Sequence, residues 1–408
     1  MTIQLLKAQS TDLQFFSLED GISNNRVWSV AQTSDGFIWL HSDGLNRFDG
    51  YNFVNHRNHS DSIFTPFTAE VRSIYAWDNK LILHLPKGLK LLDTHDGSIE
   101  ELDFRRWLLE GETIAPYHHR FIYRTPIADK IVLAVFDNQS WTKILVYDTG
   151  QVHIHELEEA IIFGDNSFEP SLFEDGLFYV SRNKSSEVIA INLEGRIVNR
   201  WPYPIVAGPN ASNVVRQNVD GSPLLFLDGV FYGFDSSTSN WIKHPIDYRF
   251  KDGIADFQVS AQGDIWITGN GDRQVYRFNS QQQILENYTE IIKEQIPFRL
   301  GFQRSFLDQT GSVWVFSIIG ILRISPGTTY FQSFFKSSDI YCGGSCSFRA
   351  FTEDDQGRVY GSFYPNIIEA SRSNEDELEP ILAEHLGFTP FDLGWHSDRF
   401  LLPNGFVF

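Results

Sequence analysis

Asp20-Gly21-Ile22-Ser23-Asn24-Asn25-Arg26-Val27-Trp28-Ser29-Val30-Ala31-Gln32-Thr33-Ser34-Asp35-Gly36-Phe37-Ile38-Trp39-Leu40 is the stretch whose reading decides the fold. An apolar run from Val27 to Ala31 meets a polar turn that ends in Gly36, and three residues later a large aromatic, Trp39, sits in a second apolar run. Glycine reaches positive φ without a Cβ clash, and β-branched and aromatic residues on both sides suit a pleated pair of strands. The same turn returns as Ala261-Gln262-Gly263-Asp264-Ile265-Trp266, Gln309-Thr310-Gly311-Ser312-Val313-Trp314 and Asp355-Gln356-Gly357-Arg358-Val359-Tyr360. Fainter copies pair Gly176 with Tyr179, Gly221 with Leu224, and Asn79, Lys130 and Arg399 with Ile82, Leu133 and Leu402. The nine turn positions are spaced by 42 to 51 residues.

A second feature, independent of the turn, keeps the same period. Some 13 to 18 residues after each of the first eight turns an apolar strand stops at Asp, Asn or Ser: Asp49, Asp93, Asp148, Asn192, Asp235, Asn279, Ser325 and Ser371. These residues suit a turn because their side chains bond the backbone just ahead. A repeat of about 45 residues with four short β-type runs and no useful helical periodicity reads as a four-stranded propeller blade. The aromatic of the second strand then packs against the next sheet, a core role that explains the fold and not an activity. Seven turns, Gly36 to Gly311, complete one ring; Gly357 and Arg399 are left over. Because an open ring leaves its end sheets wet, the sequence predicts an all-β chain. It has a tail at 1–12, a seven-bladed β-propeller at 13–329, and at 330–408 the truncated start, one to two blades, of a second propeller. A break at Ser325-Pro326-Gly327 fits that division, and either Phe15-Phe16-Ser17-Leu18 or Phe331-Gln332-Ser333-Phe334-Phe335 is placed to close the ring by pairing with the last blade.

Composition narrows the function. The 408 residues carry 33 Lys and Arg against 52 Asp and Glu, a net charge of −19. That balance, with no basic block, disfavours nucleic acid and anionic membrane surfaces. Hydrophobic residues make up 42% and aromatics 15%, enough apolar surface for a packed globular chain. Two cysteines exclude a disulfide scaffold and a structural zinc ribbon. No apolar run approaches the roughly 20 residues that span a bilayer, and Met1 to Asp12 lacks the continuous apolar core of a signal peptide.

Residues 20–50, in particular Asp20-Gly21-Ile22-Ser23, Val27-Trp28-Ser29-Val30-Ala31-Gln32, Gly36-Phe37-Ile38-Trp39 and Asp43-Gly44-Leu45-Asn46-Arg47-Phe48-Asp49-Gly50, closely resemble the opening repeat of the two-component-regulator propeller family, the periplasmic sensor regions of bacterial hybrid two-component systems. The match thins at 256–280 and 304–325 and is faint at 71–95 and 349–360; His41-Ser42 stands where the family has Gly-Thr. The resemblance implies a non-enzymatic, periplasmic ligand-binding module of a longer parent, with two propellers, a β-sandwich, a membrane helix and a histidine kinase output. It also implies a small-molecule or oligosaccharide ligand, no cofactor, and a homodimeric parent.

Candidate site residues follow from residue chemistry. Arg72, Arg304 and Arg349 read as one recurrent strand position, with Trp28 at the matching place of the first repeat; such side chains near the axis either hold an anion or pair with acids of neighbouring blades. Asn24, Asn25, Arg26 and Trp28 lead into the first blade, and His118, His119 and Arg120 are read as leading into the third. Amide and guanidinium donors beside an aromatic suit a sugar, and equally serve as loop caps. His153 and His155 share a strand face without a visible third ligand, so no metal site is expected. Cys342 and Cys346 are compatible both with a small-loop disulfide and with two thiols. No G-x-S-x-G, Walker A, H-E-x-x-H or sialidase-type Asp box occurs. A polysaccharide hydrolase or lyase and a protein-binding scaffold stand as the alternative readings.

Overall fold

The structure, a computed structural model, describes residues 12–56, 71–86, 88–114, 130–137, 140–148, 150–162, 171–173, 175–206, 213–296 and 298–325, and strands at 348–353, 359–363, 366–369 and 381–382. The chain divides into two units, Met1–Gly327 and Thr328–Phe408. In the first, the described strands form seven four-stranded antiparallel sheets. Six follow chain order, at 29–55, 73–103, 112–162, 171–202, 213–243 and 254–287. The seventh takes three strands from 302–325 and its outer strand, Asp12–Phe16, from the other end of the unit, in register from Asp12 opposite Ser325 to Phe16 opposite Ile321. This is a seven-bladed β-propeller, closed by the N-terminal of the two candidate segments; Phe331 to Phe335 lie outside the described residues.

The turn that announced the fold is built in one way. In blades one, four, five, six and seven the N–H of Thr33, Phe173, Asn218, Ser260 and Asp308 donates to the carbonyl four residues on, and the glycine N–H donates back to the same residue's carbonyl. Gly36, Gly176, Gly221, Gly263 and Gly311 sit at φ of 78° to 90°, where a side chain would strain the backbone. After the third strand, the carboxylate or amide oxygens of Asp49, Asp93, Asp235 and Asn279 each accept the N–H two residues ahead, the Asx turns expected of those residues.

Among the described residues, seven apolar clusters lie one at each boundary between neighbouring blades. Trp39 packs with Ile74, Leu81 and Leu83 of blade two, Trp266 with Val313 and Val315 of blade seven, and Trp314 with Val30 and Leu40 of blade one. Each tryptophan therefore points forward to the next sheet. Blade three corrects the expected frame: Leu133 faces backward, with Ile82 of blade two, while Val132 and Ala134 face forward, with Phe178 of blade four. Lys130 is thus one residue out of step as the reference for its repeat, and in a strand one residue reverses the face.

The second unit contains one described sheet, in the order Phe348–Glu353, Val359–Phe363, Asn366–Glu369, Ile381–Leu382. Gly357, Ser371 and Arg399, like Cys342 and Cys346, lie outside the described residues.

Closure of the ring leaves two testable marks. Trp314, almost fully buried between the last blade and the first, should cost about 3 to 5 kcal/mol when replaced by Ala. Gly320 faces the closing strand so closely that a Cβ would stand 2.5 Å from the Phe16 carbonyl oxygen and against the Phe15 ring. Gly320→Ala should therefore free residues 12–16 selectively, read as faster amide exchange there than in blade three; uniform protection would contradict the closing role.

Candidate functional site

In each blade the inner strand starts, and the second strand ends, at one end of the ring, so the loops 17–28, 42–44, 86 and 104–111 share that end. Buried Ile22 and Val27 anchor the first of these loops in the cluster between blades seven and one. Asn46, fully buried, accepts the Ser23 N–H at 2.8 Å and donates to the Ser23 and Ser42 hydroxyls at 3.0 Å. That pins loop 17–28 to loop 42–44.

On this base the predicted residues separate into two roles. Asn24 donates to Asp43 Oδ2 at 3.0 Å and accepts the Arg26 N–H at 2.9 Å; Asn25 accepts the Leu18 N–H at 2.7 Å. The asparagines are loop caps. Arg26 and Trp28 are exposed, and the guanidinium carbon lies 4.0 Å from the indole centre. A guanidinium held over an aromatic face by the ring quadrupole keeps its N–H donors for other partners.

The recurrent-arginine reading needs correcting. The Trp28 N–H donates to the His41 carbonyl and the Arg72 N–H to the His84 carbonyl, each at 2.8 Å, so these two positions are equivalent. Arg304, opposite Phe316, instead stands where Ser29 and Ser73 stand, opposite His41 and His84. Blade two has a tight hairpin, Trp77 opposite Lys80 with Asp78 at φ 51°, where blade seven has the longer glycine turn, so counting back from the turn displaces Arg304 by one. Arg349 falls at the register shift between Phe348 and Ala350 and is not in step with Arg304. His118, His119 and Arg120 lie outside the described residues, and the inner strand of blade three is already present at Glu112–Thr113, ahead of them in sequence.

Tyr75 of blade two packs its ring against the cores around blade three, while Arg304 of blade seven acts on its hydroxyl. Burial, the largest cause, raises the Tyr75 pKa. Its hydroxyl also accepts a hydrogen bond from Ser73 at 3.2 Å. Arg72 lies beside His41, whose pKa is lowered to about 4, first by burial and then by that cation, against a raising effect of Asp43.

Two arrangements were not anticipated. Arg216 of blade five, nearly buried, donates to Asp256 of blade six at 3.0 Å and to Ser171 of blade four at 3.0 Å, and Asp256 also accepts the Ser305 N–H of blade seven at 3.0 Å. This is the inter-blade ion pair weighed for the other arginines. The second is on the loop end: Arg106 lies 3.6 Å over Trp107, whose ring packs on the core of blades two and three. The triplet Arg105-Arg106-Trp107 carried that signal in sequence, cation beside aromatic in a linking segment. His153 and His155 lie opposite Val146 and Ile144 on the outer strand of blade three, and no group of three metal-binding side chains is found among the described residues.

Residues 21–44 match the model of the two component regulator propeller family, in the stretch where the resemblance was read. No curated protein matches the chain. Among solved structures it is similar to the extracellular domain of a protein from B. thetaiotaomicron assigned as a hybrid two component system, with 17% identity and a TM-score of 0.55, over 91% of this chain and 47% of that one. A second such domain from B. thetaiotaomicron gives 16% identity and 0.54, over 88% and 48%. The chain thus spans about half the length of these domains. Virginiamycin B lyase from Staphylococcus aureus gives 14% identity and 0.52, over 78% of this chain and 99% of the lyase. At these identities the likeness carries the fold.

The buried histidines set a pH dependence. His41, His84 and His244 have pKa values lowered to about 4, with burial the largest cause, so the unfolded chain binds more protons between about 4 and the ordinary value of 6.5. Stability is fully present above that value and falls with pH through the window, by up to about 1.4 kcal/mol per pH unit for each histidine. Asp103, lowered to about 2, titrates below it. Urea unfolding from about pH 7.5 to about pH 4.5 should show the decline, and His84→Gln should reduce its slope by about a third.

Proposed function

We propose that this propeller is a non-catalytic, extracytoplasmic ligand-binding module of a two-component signalling protein, taking a saccharide on the loop end of blades one and two and passing the bound state to a membrane-linked kinase. The observation that carries the reading is the exposed Arg26–Trp28 stack inside the segment that matches the family, set on the Asn24–Asp43 pair and the Asn46 network. Cation and hydroxyl-bonding groups beside an aromatic suit a ring with an apolar face and a polar rim. The extracellular domains that share the fold support the compartment and the sensing role.

On this reading Thr328–Phe408 begins a second propeller, and the parent acts as a homodimer. Seven interlocked sheets resist internal rearrangement, so the ligand would signal by favouring one placement of rings or protomers through contacts made only there. The lyase that shares the ring keeps an enzymatic alternative in view, and a protein-binding scaffold is the third.

Titration calorimetry over a panel of oligosaccharides, followed by prolonged incubation with product analysis, separates these. Binding without product supports the sensor; product supports the lyase or hydrolase; no glycan binding with one captured protein supports the scaffold. For a glycan that binds, Arg26→Gln and Trp28→Ala should each weaken affinity about tenfold, while unfolding free energy stays within about 1 kcal/mol because both side chains are exposed. Normal binding by both variants would remove the site from this loop.

A further inference from the structure

Two exposed arginines at the loop end lie over tryptophan rings: Arg26 over Trp28 at 4.0 Å and Arg106 over Trp107 at 3.6 Å. Their loops, 17–28 and 104–111, both run from an outer strand to the next inner strand, so topology puts them at the same end of the ring, leading into blades one and three. Hydrogen bonds agree: the Thr113 hydroxyl and the Ile114 N–H donate to the Pro86 carbonyl, just past the second strand of blade two. Arg72 leads into blade two between them.

Neither Arg26 nor Arg106 makes an ion pair among the described residues, in a chain with 52 acids. Three other exposed arginines do: Arg105 with Asp103 at 2.5 Å, Arg200 with Glu159 at 2.5 Å, Arg249 with Asp228 at 2.7 Å; Arg196 and Arg299 are exposed without one but do not stack on a tryptophan. Three acids beside these loops are engaged elsewhere. Asp43 accepts from Asn24, Asp103 is taken by Arg105 through Nε and Nη2, and buried Glu112 pairs with Lys143 at 2.8 Å. Two guanidinium forks are therefore fixed in orientation by stacking and left open to an acceptor from outside. A planar fork fits a carboxylate or sulfate bidentately better than it fits isolated hydroxyls.

Packed sheets stand about 10 Å apart, so two blade steps separate the forks by on the order of 20 Å, a span of several sugar units. We infer that the ligand is an extended acidic oligosaccharide, whose acid groups dock on Arg26 and Arg106 while the chain between crosses the lip of blade two. This rests on the saccharide reading above and specifies its class. Glu19 and Glu110 are exposed on the same loops, so this face is not a general polyanion surface. A ligand gains only where its acid groups fall on the forks, and the two contacts reinforce each other when one chain reaches both.

The test uses the full chain and calorimetry with oligogalacturonates and chondroitin sulfate oligosaccharides of one to eight units, and neutral xylo-oligosaccharides of the same lengths. The acidic series, carboxylate or sulfate, should bind at least tenfold tighter at six units than at two, and weaken as salt is raised. Arg106→Gln should abolish that length gain and leave the short ligands unchanged; Arg26→Gln should weaken every length. Arg106→Lys, which keeps the charge and loses the fork, should recover less than half of the gain, with melting temperatures checking that each variant is folded. Neutral chains that bind as well as acidic ones, through Arg26 but not Arg106, would overturn this inference and leave the saccharide reading standing. No binding by any of the three series would overturn both.

Discussion

Every blade depends on the pairing of Asp12–Phe16 with Ile321–Ser325, because that pairing converts a row of sheets into a ring. Each sheet is apolar on both faces and can bury them only against neighbours. With the first strand in place, the cluster of Ile22, Val30, Leu40, Trp314 and Ile321 joins the last blade to the first, so that each of the seven sheets of the ring packs on two neighbours among the described residues. The stacking of Phe16 on Trp314, with centroids 5.9 Å apart, puts the closing strand directly onto the tryptophan that spans this boundary.

Toward the axis the apolar wedges give way to polar groups, and there side chains of successive blades bond one another. Ser171, Arg216, Asp256 and Ser305 link blades four to seven in one chain of hydrogen bonds, and Asp256 accepts from both neighbours. A buried ion pair of this kind adds little net stability but is costly to break, which favours one arrangement of the sheets over others. The loop end is different. Its asparagines and serines fix the backbone, and its stacked arginines face outward, so rigidity and exposed chemistry occur in the same few residues.

The fold was legible because its signals are local and repeated. A glycine at positive φ, an aromatic three residues on and an Asx stop need no long-range information, and blades one, four and six carry all three. Leu133 was placed on the wrong face because blade three lacks the glycine that would mark its turn, and a strand forgives no offset of one. Arg304 was misaligned with Arg72 for a related reason: the hairpin at Asp78 is shorter than the glycine turns, and sequence distance does not report register. The Arg216–Asp256 pair was invisible because its partners are 40 residues apart and neither neighbours a repeated motif. Asn24 and Asn25 looked like ligand donors, and only the geometry shows both ends of the Asn24 amide and the Asn25 carbonyl oxygen bonded within the loops.

The closing strand also sets a timetable for synthesis. Asp12–Phe16 leaves the ribosome first, and its partner, Ile321–Ser325, lies 309 residues further on, counting from Asp12 to Ile321. At about 5 to 20 residues per second, the nascent chain spends roughly 15 to 60 seconds with Phe15 and Phe16 unpaired. Six blades can assemble on one another in that interval, yet the ring stays an open arc with an apolar sheet at each end. Trigger-factor-like holdases, or export before folding, would have to guard that arc until the seventh blade arrives.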